Sequence, residues 1–288
     1  MTIRKAVVLA AGYGTRLLPA TKALPKEMLP LVDKPLIQYI VEEAVAAGVE
    51  QVVLVTASGK RAVEDHFDRS LELEAYLQSK GDEARLAEVR RISEIAEIVS
   101  VRQKEALGVG HAVLQARHVI GNEPFLLLFP DDIIESEVPA SLQLARAFER
   151  AQGSVIAVER VPWDDVESYG IASGEDLGGG LWRVDSLVEK PRRAAAKSNL
   201  AIVGRYVLTP EIFDAIERTG RGHGGEIQLT DGLDLLRERQ AVYVQELTGA
   251  RYDAGRPLGL LQAAIGLALG RPDIGPQLRD YLRRALAE

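Results

Sequence analysis

Glycines and cations alternate over a short stretch near the amino terminus: Ala11-Gly12-Tyr13-Gly14-Thr15-Arg16, then Lys22-Ala23-Leu24-Pro25-Lys26. Gly12 and Gly14 let the backbone take positive φ or approach a ligand closely, so amides unused in a sheet can point at an anion. Arg16 and Lys26 add full positive charge on the same excursion. Residues 1–35 hold six Lys and Arg against two acids, although the whole chain has a net charge of −7. Such an island suits a polyphosphate. Two familiar glycine patterns fit poorly. A dinucleotide fingerprint needs a third glycine where Leu17 stands, and a P-loop needs a Gly-Lys-Ser/Thr that is absent. Alone, Gly-x-Gly serves equally well as a structural turn.

Other groups able to do chemistry follow apolar runs. Phe125-Leu126-Leu127-Leu128-Phe129 ends in Pro130-Asp131-Asp132. Carboxylates at the carboxyl end of a buried parallel strand sit where open α/β sheets bind ligands, and one or two of them suit Mg²⁺. A helix cap or turn explains the same pair. Ile98-Val99-Ser100-Val101 leads to Gln103, whose amide has the donor and acceptor that reading uracil requires, or is simply a surface amide. Gly108 and Gly110 then open a helix carrying His111, which reads as structural. The four histidines show no metal spacing. Bare of context, Glu189-Lys190-Pro191 is a surface turn, and Asp253 a turn residue closed by Gly255.

The elements that must position these groups alternate strand and helix. Lys5–Ala10 is an apolar buried strand, and Pro35 suits a first helical position before a helix ended by Gly48. Gln51–Thr56 is the next strand, so a parallel crossover is expected. Residues 59–97 read as a charged helical insertion, with Gly81 its obvious break. Its Leu71, Leu73, Leu77 and Leu86 suit a core or a neighbouring subunit. Further strands are expected at 154–159, 182–188, 198–208 and, last, 242–247, with a hairpin around Gly178-Gly179-Gly180. Helices are expected at 138–152, from Gly224, and at about 256–270 and 276–287. Glu226 and Asp231 read as helix-end charges. The fold class is α/β, a Rossmann-like mixed and mainly parallel sheet flanked by helices. No linker or repeat divides residues 1–288, so one domain is expected, closed by helices over 256–288.

Taken together, the loop at 11–16, the run Leu18-Pro19-Ala20-Thr21-Lys22 and the segment Pro25-Lys26-Glu27-Met28-Leu29-Pro30-Leu31-Val32-Asp33-Lys34-Pro35 resemble the sugar-nucleotide pyrophosphorylases. His66-Phe67-Asp68-Arg69-Ser70-Leu71-Glu72-Leu73-Glu74 is similar to a segment of the bacterial uridylyltransferases among them. The resemblance runs from Lys5 to about Ala263 and implies a nucleotide-diphospho-sugar transferase fold. It further implies UTP and glucose-1-phosphate as substrates, and UDP-glucose and pyrophosphate as products. Ala11, Gly12, Gly14, Gln103 and Gly108 are the implied nucleotide contacts. Gly170, Glu189 and Val203 are the implied sugar contacts, with Lys190 on the sugar phosphate and Arg16 and Lys26 on the leaving pyrophosphate. Asp131 and Asp253 are implied as Mg²⁺ ligands, and Asp132 stays open. An acid is common in the family where Gly225 stands, and Cys where Ala254 stands; no chemistry is assigned there. A homo-oligomer, dimer or tetramer, is expected.

Composition excludes other classes. A net charge of −7 argues against nucleic acid or an anionic membrane as partner, because phosphate-backbone affinity rests on Lys and Arg. With no cysteine there is no disulfide, thiolate metal site or cysteine nucleophile. No uncharged run approaches the roughly 20 residues that span a bilayer. Met1-Thr2-Ile3-Arg4 lacks an apolar signal core, so a cytoplasmic protein is expected. The competing readings are a thymidylyltransferase, a uridylyltransferase for another sugar phosphate, a dinucleotide-dependent oxidoreductase and a non-catalytic nucleotide sensor.

Overall fold

The computed structural model describes residues 3–287; Met1 and Thr2, the start of the segment expected to lack a signal core, and Glu288 lie outside the described residues. The strands in chain order are β1 (Lys5–Leu9), β2 (Pro30–Leu31), β3 (Lys34–Pro35), β4 (Gln51–Thr56), β5 (Glu97–Arg102), β6 (Phe125–Leu128) and β7 (Asp132–Glu135). They continue with β8 (Val155–Arg160), β9 (Gly170–Asp176), β10 (Leu181–Glu189), β11 (Leu200–Leu208), β12 (Tyr243–Glu246) and β13 (Ala250–Asp253). One nine-stranded sheet runs β5-β4-β1-β6-β11-β8-β12-β10-β9. The first four strands pair in parallel, as do β8 and β12, while β11 and β10 run against their neighbours. Four pairings are parallel and five antiparallel, yet seven of the nine strands point the same way, so the sheet is mixed and mainly parallel in strand direction, as the sequence implies.

Both faces are covered, which is why the central strands are continuous apolar runs rather than alternating ones. Ala6 and Val8 of β1 pack on one side with the helices Leu36–Ala46 and Ala140–Ala151. Val7 packs on the other with the helices Glu211–Arg218 and Leu229–Arg237. β6, entirely buried, sits between β1 and β11. The 59–97 insertion forms three helices, Arg61–Asp65, Leu71–Ser79 and Glu83–Ser93. Gly81, at φ +67°, makes the expected break, and a second falls between Asp65 and Leu71.

Three expectations are corrected. Pro35 is not the first helical residue: it is extended (φ −68°, ψ 151°) and paired in the β2–β3 ribbon, and the helix starts at Leu36. The helix expected from Gly224 starts at Leu229. Glu226 is extended, because the next residue, Ile227, uses its amide to bond the Leu107 carbonyl (2.8 Å) across the cleft. β12 is not the last strand. Residues 250–253 form β13, antiparallel to β7, with Asp253 opposite Asp132. Asp253, followed by Gly255, reads as a turn residue, but tertiary pairing overrides the local preference.

Candidate active site

The apolar strand β1 delivers the anion loop. Its last sheet bond is the Ala10 amide to the Val55 carbonyl (2.8 Å), after which the chain leaves the sheet. Gly14 takes the left-handed conformation (φ 69°, ψ 27°), and its carbonyl accepts from the Thr21 hydroxyl (2.8 Å). A side chain at Gly14 would press on Cβ of Lys26 at 3.1 Å, so the glycine lets the loop sit against the lysine's turn.

That turn, a single 3-10 turn over Lys26–Met28, is held from below. Glu27, fully buried, accepts from Lys60 Nζ (2.7 Å). Lys26 points the other way and donates to Asp131 Oδ2 (2.6 Å). Burial opposes the charge on both partners, yet their attraction prevails. The Lys26 ammonium and its hydrogen bond, helped by Arg16, hold the Asp131 carboxyl below the ordinary carboxylate range. Asp131 and Glu27 in turn hold Lys26 above its ordinary value.

Asp131 and Asp253 lie far apart in sequence and meet through the β7–β13 ribbon. The Ala254 amide donates to the Asp131 carbonyl (2.8 Å), extending the ribbon by one rung. Arg16 lies between the two acids, with nitrogens 3.5 Å from Asp131 Oδ2 and 3.6 Å from Asp253 Oδ2. Gly255 closes the arrangement: a Cβ there would fall 2.7 Å from Asp131 Oδ2, 2.7 Å from Arg16 Nη2 and 3.0 Å from Asp253 Oδ1. The two carboxylates thus converge on one small space that already accommodates a cation. Among the described residues no group of three or more His, Cys, Asp and Glu gathers to form a metal cage. Two acids with room beside them instead suit a hard divalent ion whose other ligands are phosphate oxygens and water.

Asp132 also lines the wider cleft described below, with its carboxylate tied into a charge network. Its carboxylate accepts from the Gly204 amide (2.8 Å) and from Arg251 Nε (2.6 Å). Fully buried Arg205 on β11 donates to the carbonyls of Phe129 (3.0 Å) and Asp132 (2.7 Å) and pairs with Glu43 (2.8 Å). Those two carbonyls flank Pro130-Asp131, so Arg205 grips the turn that presents Asp131. Arg205 is not among the residues expected at the site; its one signal in the sequence is a lone charge inside an otherwise apolar strand.

Two clefts open along the carboxyl ends of these strands. One, of about 430 Å³, is lined by Ala11, Gly12, Lys26, Gln103, Gly108 and Asp131 among others. The second, of about 500 Å³, includes Arg16, Gly170, Glu189, Lys190, Val203 and Asp253. Asp131 lines both, as do Phe129 and Val109, so the clefts are halves of one trench joined at that carboxylate. Every residue expected at the site lies in this trench except Gly14, which packs beneath Lys26. Lys190 has φ +45°, a left-handed conformation unusual for a residue with a side chain, and it bends the end of β10 into the trench. Its Nζ is 3.6 Å from Glu189 Oε1. Glu189 stands opposite Gly170 in the ladder, and its Oε2 accepts from the Thr230 hydroxyl (2.7 Å). The sequence reading did not single out Thr230, Tyr169 or Arg256, which also line the wider cleft. Nor did it place Glu226 on the wall of the other. Contacts across the trench carry no local signature.

The sequence pattern of nucleotidyl transferases matches residues 5–268. A UTP–glucose-1-phosphate uridylyltransferase of Staphylococcus epidermidis is 49% identical over 282 residues, covering 98% of this chain and 98% of that one. Among solved structures, a UTP-bound UGPase from Acinetobacter baumannii is similar at a TM-score of 0.90 and 40% identity, covering 97% of this chain and 98% of that one. A UDP-glucose pyrophosphorylase complexed with UDP-glucose is similar at a TM-score of 0.84 and 42% identity, covering 93% and 100%.

Proposed function

This chain belongs to the nucleotidyl transferase family, and we propose that within it the chain transfers a uridylyl group from UTP to glucose-1-phosphate, giving UDP-glucose and pyrophosphate. The observation that carries the reading is the junction at Asp131. A cleft with base-reading groups and one with sugar-binding groups meet there, and Arg16, Lys26 and Lys190 are distributed along the line between them.

The reaction is an in-line attack by a sugar-phosphate oxygen on the α-phosphorus of UTP, with pyrophosphate leaving. It needs no protein nucleophile, so positioning and charge stabilisation carry the rate. Two unit charges 4 Å apart repel by about 4 kcal/mol at an effective dielectric near 20. In our reading Lys190 holds the acceptor phosphate and Glu189 the sugar hydroxyls, with Gly170 and Val203 as walls. Ala11, Gly12, Gln103 and Gly108 hold the nucleoside, while Arg16 and Lys26 offset charge on the departing pyrophosphate. Gly14 shapes the loop rather than touching nucleotide. We assign Mg²⁺ to Asp131 and Asp253, where it supplies Lewis-acid charge and a template when bound. The convergence of both acids over Gly255 supports that assignment.

We further read residues 1–288 as one catalytic unit built on the single large sheet. The exposed Leu258, Leu261 and Ile265 on the helix Pro257–Gly270 support a homo-oligomer, dimer or tetramer. Among the described residues no helix is long and apolar enough to cross a membrane. A cytoplasmic setting fits the cysteine-free sequence.

The test is pyrophosphate release from UTP, dTTP and CTP with glucose-1-phosphate and a panel of other sugar phosphates, in the presence of Mg²⁺. UTP with glucose-1-phosphate is expected to be the best pair. A preference for dTTP, or for another sugar phosphate, would replace the reading with one of the neighbouring activities.

A further inference from the structure

Glu189 closes β10, and its carboxylate is tied at one oxygen only. Oε2 accepts from the Thr230 hydroxyl (2.7 Å), and the hydroxyl is the donor because a carboxylate only accepts. That oxygen sits in a tight corner. A Cβ on Gly170 would fall 3.1 Å from Glu189 Oε2, 3.1 Å from Ile202 Cδ1 and 3.3 Å from Thr230 Oγ1. No other hydrogen bond reaches Oε2 among the described residues. Thr230 is 8% exposed and stands in the first turn of the helix Leu229–Arg237. One turn on, Asp234 of that helix accepts from the Leu187 amide of β10 (3.3 Å), so helix and strand are locked together and the Thr230 hydroxyl is aimed.

Glu189 Oε1 is left without a hydrogen bond among the described residues. Its neighbour Lys190 brings Nζ to 3.6 Å, short of hydrogen-bond contact, and that side chain is 42% exposed. The Lys190 amide is fixed on the Tyr169 carbonyl (3.0 Å), which holds the lysine's backbone and leaves its ammonium free to turn. Opposite charges this close attract, so a carboxylate released from Thr230 would close on the ammonium. A hydrogen bond to a charged group outweighs a half-exposed ion pair, so Thr230 decides the direction of the carboxylate. All three residues line the wider half of the trench.

We propose that Thr230 is a positioning residue for the sugar phosphate: by holding Oε2 of Glu189 it keeps the carboxylate from closing on Lys190. Oε1 then stays open to sugar hydroxyls and the ammonium to the phosphate. The proposal rests on the uridylyltransferase reading and deepens it, by naming the side chain that keeps the two grips on the acceptor apart.

The test measures KM for glucose-1-phosphate and for UTP in the wild type, in Thr230→Val, which replaces the hydroxyl by a methyl group, and in Thr230→Ser, which keeps it. The KM for glucose-1-phosphate is expected to rise about tenfold in Thr230→Val. The KM for UTP should stay near wild type there, and Thr230→Ser should be near wild type for both. An unchanged glucose-1-phosphate KM in Thr230→Val overturns the proposal. An equal rise in both KM values does so too, as does a Thr230→Ser as impaired as Thr230→Val. If Thr230→Val does not fold, Thr230→Ala takes its place under the same criteria. Calorimetry with UDP-glucose and with UDP checks the route through Glu189. Thr230→Val should weaken UDP-glucose alone and add nothing in a Glu189→Ala background, and a further loss in that background overturns the proposal. A wild type that does not turn over glucose-1-phosphate would remove the parent reading and this one with it. Turnover with an unmoved KM removes only this one.

Discussion

Lys26 and Asp131, 2.6 Å apart, each stay ionised against the cost of burial mainly through the other, with Glu27 assisting Lys26 and Arg16 assisting Asp131. Lys26→Ala is therefore expected to lower kcat by about 10³-fold or more, as loss of a charge that faces a transferring phosphoryl group does. Circular dichroism should show the fold intact. Near-wild-type pyrophosphate release in that variant would take Lys26 out of the mechanism. The pair also sets a pH dependence. Asp131 has a folded pKa below its unfolded value, so its contribution to stability is present above the ordinary carboxylate range. That contribution is lost as pH falls through the depressed value. Lys26 has a folded pKa above its unfolded value, so its contribution is full below the ordinary lysine range and lost as pH rises beyond it. The stability difference between wild type and Asp131→Asn should be flat from about pH 5 to 9 and shrink in acid. Urea midpoints measured across pH check this, and a difference that grows on acidification would contradict it.

The elements matter because they bring these side chains to one point. The 3-10 turn that aims Lys26 rests on the buried Glu27–Lys60 pair, one oxygen of which, Glu27 Oε1, has no hydrogen-bond partner. Burial pushes the Glu27 carboxyl above its ordinary value against the pull of Lys60 and Lys26. The fold thus holds the Glu27 proton more tightly than the unfolded chain does, and this group costs stability as pH rises through the carboxylate range. Lys60→Met should destabilise by about 3–5 kcal/mol, because it strands a buried charge, while Glu27→Leu combined with Lys60→Met should recover most of the loss. Denaturant titration of the three variants decides; a double variant as unstable as the single one would mean that the pair is not coupled. The β7–β13 ribbon is the second such element. Gly255→Ala adds one methyl group where both carboxylates and Arg16 converge. It should abolish most activity while shifting Tm by only a few degrees, and near-normal turnover would show that this convergence is not the reacting centre.

At the scale of the whole molecule, the sheet carries the two halves of one trench, which in the proposed reading take the two substrates. The parallel strands β5, β1 and β6 end at the narrower cleft, proposed for the nucleotide, and β9, β10 and β11 wall the wider one, proposed for the sugar. The two halves share Val109, Phe129 and Asp131 as lining residues. The apolar face of the helix Pro257–Gly270, with Leu258 and Leu261 each about two-thirds exposed, lies outside that trench. In the oligomer reading, Leu261→Asp should shift the sedimentation coefficient toward the monomer. A wild type that is already monomeric at micromolar concentration would dispose of the reading.

Local chemistry was legible wherever one segment carries its own signal. The apolar runs of β1, β4 and β6 announce a sheet buried on both faces, and Gly81 announces a helix break. The loop at 11–16 with Lys26 announces a glycine-and-cation turn leaving β1, because glycine freedom and cationic charge are written into neighbouring residues. What the sequence could not decide was pairing. Residues 250–253 look like a turn until β7 lies beside them, and that pairing brings Asp253 to Asp131. Likewise, that the Asp132 carboxylate is tied into a charge network while Asp131 is left to Lys26 and Arg16 depended on Arg251, Arg205 and the Gly204 amide, groups many residues away. A carboxylate's type is local, but its direction is settled by the partners that the fold delivers to it.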